Sequence, residues 1–368
     1  MNRRGLTLIE LVLAIGLFAL MSLLVVRLLD STMRVWTSAE GQRYAIGTHT
    51  DLSSQVLAEL DQIAGGENGE LLIDWELFDT DGDGTATRPL QRVRFVRRAT
   101  AADLVRLGQR EIDPQEPETA RMEGGELPLL EVVYALLPRA LDNPAATEEA
   151  RALLPGEPGD VVLWRGERLL DDPALPSVFR TDWFRNGFPP AGAAEPLHGG
   201  LLWFEVVAAG RGTRVDGGWK VGLDATDATR AWDSRGGSRL RTNVHAFNRA
   251  YPDMPTYRGE PLLPRRMLVA IEVEAPSQER RRPVLEAPVA LEDREMRVTR
   301  PELLPPAGTL VLLGEEWVKI AYPGAVTTIE RAQRGTSPRA HRAGTPVQVG
   351  RRFEREIALP LHREDWRR

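Results

Sequence analysis

The strongest pattern of hydrophobic positions is an apolar run from Leu6 to Leu29. It contains one acid, Glu10, near its start and one base, Arg27, near its end, and no charged residue lies between Leu11 and Val26. A helix of this length is long enough to span a bilayer. A plain secretory signal has a shorter apolar region, about 7–15 residues, followed by a small-residue cleavage site. The pattern therefore predicts a membrane-spanning helix.

Apolar residues continue at helical spacing farther along the chain, at Leu52, Val56, Leu60 and Ile63. The pattern stops at Gly65, and together with the apolar run it predicts one helix over 6–63. Such a helix would be about 87 Å long at 1.5 Å per residue, so its first half would project from the folded part of the chain. Gly41 and Gly47 could bend it, and two separate helices joined in that region are the alternative.

After Gly65 short apolar runs are separated by Gly, Pro and Asp, which is typical of strands and loops. In one run Met267, Val269 and Ile271 share a face, while Glu272 lies on the opposite face, as expected for a strand that covers a core on one side. We therefore predict an α+β fold, in which the long N-terminal helix packs on a mainly antiparallel β-sheet head with a β-rich insertion. The candidate strands are Glu70–Phe78, Gln91–Arg97, Leu129–Leu137, Val161–Trp164, Leu201–Ala208, Met267–Glu274 and Phe353–Leu359.

Composition narrows the classes of function. The 368 residues carry a formal net charge of -6 with charges of both signs, so no nucleic-acid partner is expected. The chain has no cysteine, which excludes disulfides, thiolate metal sites and cysteine nucleophiles. There is no P-loop, no dinucleotide-binding glycine motif, no nucleophile elbow and no zinc-protease helix motif. We therefore expect a protein that is not an enzyme.

Glu10 is the unusual residue of the apolar run, because a carboxylate inside such a helix costs roughly 2.5–3.5 kcal/mol. It needs a partner. If the chain were cut just before Leu6, the new α-amino group would be a cation at the membrane boundary. Glu10 of one subunit could then pair with the amine of a neighbouring subunit, and this pair would set the register of an assembly.

The segment Arg3-Arg4-Gly5-Leu6-Thr7-Leu8-Ile9-Glu10-Leu11 resembles the prepilin signature of type IV pilins and pseudopilins, a short basic leader that ends in Gly and precedes an apolar run. The resemblance implies cleavage after Gly5 by a membrane prepilin peptidase, N-methylation of Leu6 and use of Glu10 in subunit docking. Leu6 stands where the family usually has Phe, but methylation acts on the backbone amine. An uncleaved signal-anchor is the alternative.

The basic residues before the run would remain cytoplasmic, so the resemblance implies a single pass through the inner membrane with a periplasmic head, followed by incorporation into a pseudopilus. The order of parts is similar to J-type minor pseudopilins of type II secretion systems, with an Arg-rich strand at Arg92–Arg98. That subtype implies a place at the filament tip and other minor and major pseudopilins as partners. Other minor pilins, and a membrane-tethered binding module such as an adhesin or DNA-uptake minor pilin, are the alternatives.

The expected organisation has five parts. They are a leader at 1–5, the long helix at 6–63 with its transmembrane part at 6–29, the β-rich head at 64–275, the β-rich insertion at 276–350, and a closing strand and tail at 351–368.

One short motif suggests a cation. The segment 79–84 has the D-x-D-x-D-G opening of a calcium loop, with alternate oxygen ligands and a glycine for the sharp turn. Position twelve of the loop is Leu90, so a full EF-hand is excluded and a further acid such as Asp74 or Glu76 would be needed. An Asp-Gly hairpin turn without an ion is the alternative. The candidate calcium ligands are Asp79, Asp81 and Asp83.

Overall fold

The computed structural model describes residues 8–65, 68–78, 85, 87–107, 128–138, 161–180, 194–209, 231–235, 263–264, 266–274 and 282–359. Its first element, α1, is one α-helix of 53 residues, Leu8–Leu60, which is about 80 Å long at 1.5 Å per residue. The helix is continuous through Gly41 and Gly47. The prediction of one long helix is confirmed from Leu8 to Leu60, and the alternative of two separate helices is wrong. The predicted end at Ile63 is three residues too late, because Ile63 forms a β-bridge with Arg97.

The remaining described elements are mostly strands. They are β1 (Leu71–Phe78), β2 (Arg88–Arg98), α2 (Ala101–Arg106), β3 (Leu129–Pro138), β4 (Val161–Leu169), β5 (Ala194–Ala209), β6 (Trp232–Asp233), β7 (Arg266–Val273), β8 (Glu295–Met296), a 3-10 turn (Pro301–Leu303), β9 (Leu310–Leu313), β10 (Glu316–Tyr322), β11 (Thr327–Gln333), β12 (Val347–Gln348) and β13 (Arg351–Ala358).

Eight strands form the main sheet, in the order β13-β7-β5-β4-β3-β2-β1-β6. Every neighbouring pair in this sheet is antiparallel. All the strands predicted from the sequence are in it. A long apolar N-terminal helix followed by a mostly antiparallel sheet is the α+β fold that the sequence predicts.

The main sheet is bent at β5. This strand pairs with β4 as far as Leu201 and with β7 from Leu201 onward, and both ladders shift register near that residue. The bend brings β5 toward β2, where the Gln91 side chain donates to the Val206 carbonyl at 2.9 Å and accepts from the Val206 amide. The Gln91 side chain therefore satisfies backbone groups of β5 in the part of the strand that is paired with β7 but no longer with β4.

The main core lies between the C-terminal part of α1 and the sheet. Buried helix residues recur every three or four positions, which places them on one face. They meet apolar side chains of β2, β3, β5, β7 and β13 in one continuous cluster. The buried residues on this helix face are Gly41, Ala45, Thr48, His49, Leu52, Ser53, Val56 and Leu60.

Residues 284–348, called here the insertion module, contain a second antiparallel sheet of five strands in the order β12-β9-β10-β11-β8. The module has a separate apolar core that includes Val311, Val318, Ile320 and Ile329. The module therefore has its own sheet and its own core. It also packs against the main sheet through the tryptophans described in the next paragraph.

The face of β7 that carries Glu272 is buried. The alternation of apolar and acidic residues in this strand predicted that only its other face would be covered. Trp203 of the main sheet packs against Trp317 of the insertion module, with ring centroids 5.7 Å apart in an edge-on arrangement. Arg334 of the module bonds Glu272 at 2.6 Å. The prediction of a strand with one covered face is therefore wrong, because the module covers the other face.

Candidate membrane and assembly helix

The N-terminal half of α1 is an exposed apolar surface. The stretch Leu11–Met33 has 23 residues and is long and apolar enough to cross a bilayer, and none of it is buried against the rest of the protein. Within the described residues it is the one helix that meets this condition. Isolated exposed apolar residues are ordinary in soluble proteins, but a contiguous surface of this extent marks a membrane or protein contact.

The sequence-predicted processing residues lie at the start of this surface. Glu10 belongs to the first turns of α1. Gly5 and Leu6, together with the rest of the leader, lie outside the described residues. The cleavage and methylation positions therefore remain predictions from the sequence, as does the docking role of Glu10.

Near its C-terminus α1 is fixed to the sheet by one carboxylate, that of Glu59. It accepts hydrogen bonds from Arg165 Nη2 at 2.6 Å and Arg165 Nε at 3.1 Å, and a third from the Tyr134 hydroxyl at 2.7 Å. Both partners are almost fully buried, on β4 and β3. Paired carboxylate and guanidinium groups can remain charged in such a site, whereas either one alone would be costly.

The same network continues to α2 through a second arginine. Arg97 of β2 donates to both oxygens of Asp103, at 2.7 and 2.9 Å, and its guanidinium lies 3.5 Å from Glu59. Burial tends to raise the pKa of Asp103, but the bonds from Arg97 and from Thr100 outweigh that effect and hold the pKa well below its usual range. Ionised pairs therefore link the helix to β2, β4 and α2.

Two histidines lie at the other end of the contact between helix and sheet. His198 of β5 is 3.2 Å from the Thr48 hydroxyl and 3.4 Å from the Tyr44 hydroxyl. His49 stacks on Phe353 of β13, with the ring centroids 4.4 Å apart and the planes at 9°. Burial, and then the charge of Arg355, lower the pKa of His49, so this stacked ring is neutral at physiological pH. The contact joins α1 to the terminal strand of the main sheet.

The candidate calcium ligands Asp79, Asp81 and Asp83 lie outside the described residues. The two acids that the sequence offered as additional ligands are engaged with arginines. Asp74 is buried and bonds Arg92 at 2.8 Å and Arg94 at 2.9 Å, and Glu76 pairs with Arg92. No group of three or more potential metal ligands occurs among the residues that the structure describes. The role of Asp74 and Glu76 is to neutralise buried arginines of β2.

Sequence reasoning missed Glu59, Arg165 and Tyr134. A signal was present, because Glu59 lies three residues after Val56 and one before Leu60, on the apolar face of the predicted helix. An acid at such a position must have a partner in the sheet. The partner could not be identified from the sequence, because Arg165 is 106 residues away along the chain.

No protein-family model matches the sequence, and no match was found among curated proteins or among solved structures. The class of protein is therefore inferred from the architecture. An apolar N-terminal helix followed by an antiparallel sheet domain is compatible with a pilin-like fold.

Proposed function

We propose that this protein is a minor pseudopilin, a subunit that is anchored in the inner membrane through α1 and then assembled into a type II secretion pseudopilus or a related pilus-like filament. Prepilin peptidase cleaves it after Gly5, and the amine of Leu6 is methylated. Its role is structural, and its partners are the other minor and major pseudopilins of the same system.

One observation carries the proposal: a single continuous helix has an exposed apolar half and a half that is fixed to a folded head. A simple membrane tether needs only the first half and a flexible linker. A filament subunit needs both halves in one rigid element, because the helix must leave the bilayer and carry the head with it. The buried contacts of Glu59 with Arg165 and Tyr134 supply that rigid connection.

The exposed apolar surface then serves two environments in turn. In the bilayer its side chains contact lipid, and in a filament they contact the equivalent helices of neighbouring subunits. Glu10 is costly in the first environment unless it has a partner. In the second environment the amine at Leu6 of a neighbour offsets the charge, so the pair favours assembly in one register.

Site-specific photocrosslinking tests the proposal. A photoreactive residue replaces Leu17, which is 54% exposed in the apolar segment, and the control replaces Tyr322, which is 73% exposed on the insertion module. Both proteins are expressed in cells with a complete pseudopilin system. The proposal predicts covalent adducts of the Leu17 variant with pseudopilins, identified by mass spectrometry, that disappear when the assembly ATPase is inactivated. Adducts with lipid alone, in the presence of an active ATPase, would contradict it.

The insertion module favours a second candidate function, a membrane-tethered binding protein, because it adds a separate five-stranded sheet to the head. The same experiment separates the two functions. A tethered binding protein would be crosslinked to lipid through Leu17 whether or not the ATPase is active.

A further inference from the structure

The strands that end the two sheets differ in length. β6 ends the main sheet on one side, and β12 and β8 end the sheet of the insertion module, and each of these strands has two residues. The fourth terminal strand, β13, has eight residues and pairs with β7 along all of them. Among the described residues no strand pairs with its outer edge. A long open edge exposes backbone donors and acceptors to any extended chain, and proteins usually avoid one that has no use.

The charges on one face of β13 are paired. Arg352 bonds Glu354 at 2.7 Å and Glu205 of β5 at 3.3 Å, and Glu356 bonds Arg266 of β7 at 2.6 Å. Successive residues of a strand point to opposite faces, so Arg352, Glu354 and Glu356 share one face of β13. This face is turned away from α1. This face is electrostatically satisfied within the chain.

The opposite face carries two arginines that are not paired. Arg351 and Arg355 are exposed, and neither forms an ion pair with any described residue. Their cross-strand neighbours on β7 are Val273 and Val269, which cannot neutralise them. Phe353 lies between the two arginines on the same face, and the Arg351 guanidinium is 5.5 Å from its ring.

We propose that the outer edge of β13 binds an extended segment of a partner protein as an additional β-strand, and that the segment carries acids at alternate same-face positions on either side of an apolar residue. The backbone of the segment would continue the ladder of the main sheet. Its acids would lie opposite Arg351 and Arg355, and its apolar residue opposite Phe353. In this mode of recognition, main-chain hydrogen bonds provide the affinity, and contacts of every second side chain provide the specificity.

The arginines argue against a second copy of β13 as the occupant. Antiparallel pairing of two copies about Phe353 would place Arg351 of each copy opposite Arg355 of the other, and like charges in direct opposition are destabilising. The proposed surface belongs to the head and does not rest on the proposed role in a filament.

The test uses the full chain in detergent and a fluorescein-labelled peptide, Thr-Glu-Thr-Val-Thr-Glu-Thr-Val-Thr, whose Glu and Val residues alternate on one face. A second peptide has Lys in place of Glu. Fluorescence anisotropy should give binding of the Glu peptide about tenfold tighter than that of the Lys peptide, the size expected for two attractive pairs replaced by two repulsive ones. The double variant Arg351→Glu, Arg355→Glu should reverse this preference. The matched control is Arg300→Glu, Arg342→Glu, which changes the net charge equally on the insertion module and should retain the wild-type preference.

Amide hydrogen exchange of the wild-type protein provides a measurement that does not depend on a variant. Saturation with the Glu peptide should slow exchange in β13 selectively. The proposal would be overturned by equal affinity for the two peptides, by a preference that the control variant also loses, or by protection elsewhere with β13 unchanged. Dimerisation of the wild-type protein that removes the peptide site would also overturn it, in favour of a second copy as the occupant.

Discussion

Arg334 of the insertion module lies with its Nη2 atom 2.6 Å from the Glu272 carboxylate of β7, and both side chains are buried. The guanidinium carbon lies 3.9 Å from the centroid of the Trp317 ring and 4.7 Å from that of Trp203, where the cation contacts both aromatic faces. Arg334 has a φ of 51°, in the left-handed region that costs energy for a residue with a side chain. A strained backbone that holds a buried ion pair indicates that the module is fixed to the main sheet through this residue.

Arg334→Met should lower the free energy of unfolding by about 3–5 kcal/mol, because it leaves the Glu272 charge buried without its partner. The double variant Arg334→Met, Glu272→Met should recover most of this loss, since it removes both members of the pair and leaves neither charge buried without the other. Urea unfolding followed by tryptophan fluorescence measures both. Lys319→Met is the control, because its pair with Glu330 is exposed and should contribute only about 0–1 kcal/mol. A double variant as unstable as the single one would contradict the assignment.

Glu59→Ala should loosen the C-terminal part of α1 from the sheet. The substitution removes the bonds of Glu59 to the buried Arg165, while Glu167 remains 2.6 Å from the Arg165 guanidinium, and this loss costs about 1–3 kcal/mol. Amide hydrogen exchange in residues 52–60 should accelerate strongly relative to the wild type. Glu40→Ala removes an exposed acid of the same helix and should leave that exchange unchanged. Equal exchange in the two variants would show that apolar packing alone holds the helix.

The insertion module should lose stability in acid through Glu316. Burial tends to raise the pKa of Glu316, but bonds from Arg331, from His341 and from the amides of Ala332 and Arg339 lower it to about 2 from an ordinary value of 4.5. A depressed pKa means that the carboxylate stabilises the fold fully above about pH 4.5 and that this contribution disappears as the pH falls toward 2. Urea unfolding at a series of pH values should therefore show a falling free energy over that range.

Glu316→Gln should remove this part of the pH dependence, whereas Glu330→Gln, at an exposed position of the neighbouring strand, should retain it. The comparison separates Glu316 from other buried acids such as Glu131, whose pKa burial raises and whose contribution therefore has the opposite sign. An unchanged slope in the Glu316 variant would refute the assignment.

Glu10→Val should leave membrane insertion intact and reduce incorporation into filaments, because the apolar segment is preserved and only the charge that requires a partner is lost. Membrane fractionation and the yield of pseudopilin crosslinks from a photoreactive residue at Leu17 measure the two steps separately. Glu40→Val, which removes an acid outside the membrane segment, serves as the control. Normal crosslinking of the Glu10 variant would exclude the proposed role of this residue in assembly.

The sequence allowed the helix and the seven principal strands to be predicted because their signals are local. The helix has periodic apolar positions, such as Leu52 and Val56, and these are buried on one face. Strand ends were less accurate where tertiary pairing outweighs local preference. β5 begins at Ala194, seven positions before the predicted start at Leu201. The added part contains Pro196, a residue that local preference places outside strands, but Pro196 is paired with Trp164 of β4.

The contacts that fix the helix and the insertion module could not be predicted, because they join residues far apart in the chain. Arg334 and Glu272 are separated by 62 positions, and no periodic pattern relates them. Their charges are typical of solvent-exposed positions, so local reasoning assigns Glu272 to a polar surface. Only the tertiary structure shows that the module covers this face and converts its polar side chain into a buried partner.

The measurement that tests the central proposal most directly is the intact mass of the protein extracted from membranes, with N-terminal fragmentation, in cells with and without an active prepilin peptidase. The proposal predicts that the peptidase removes Met1–Gly5 and that the new N-terminus at Leu6 carries a methyl group, whereas cells without the enzyme contain the uncut chain. An uncut chain in the presence of a peptidase that processes other prepilins in the same cells would contradict the proposal and leave a signal-anchored surface protein.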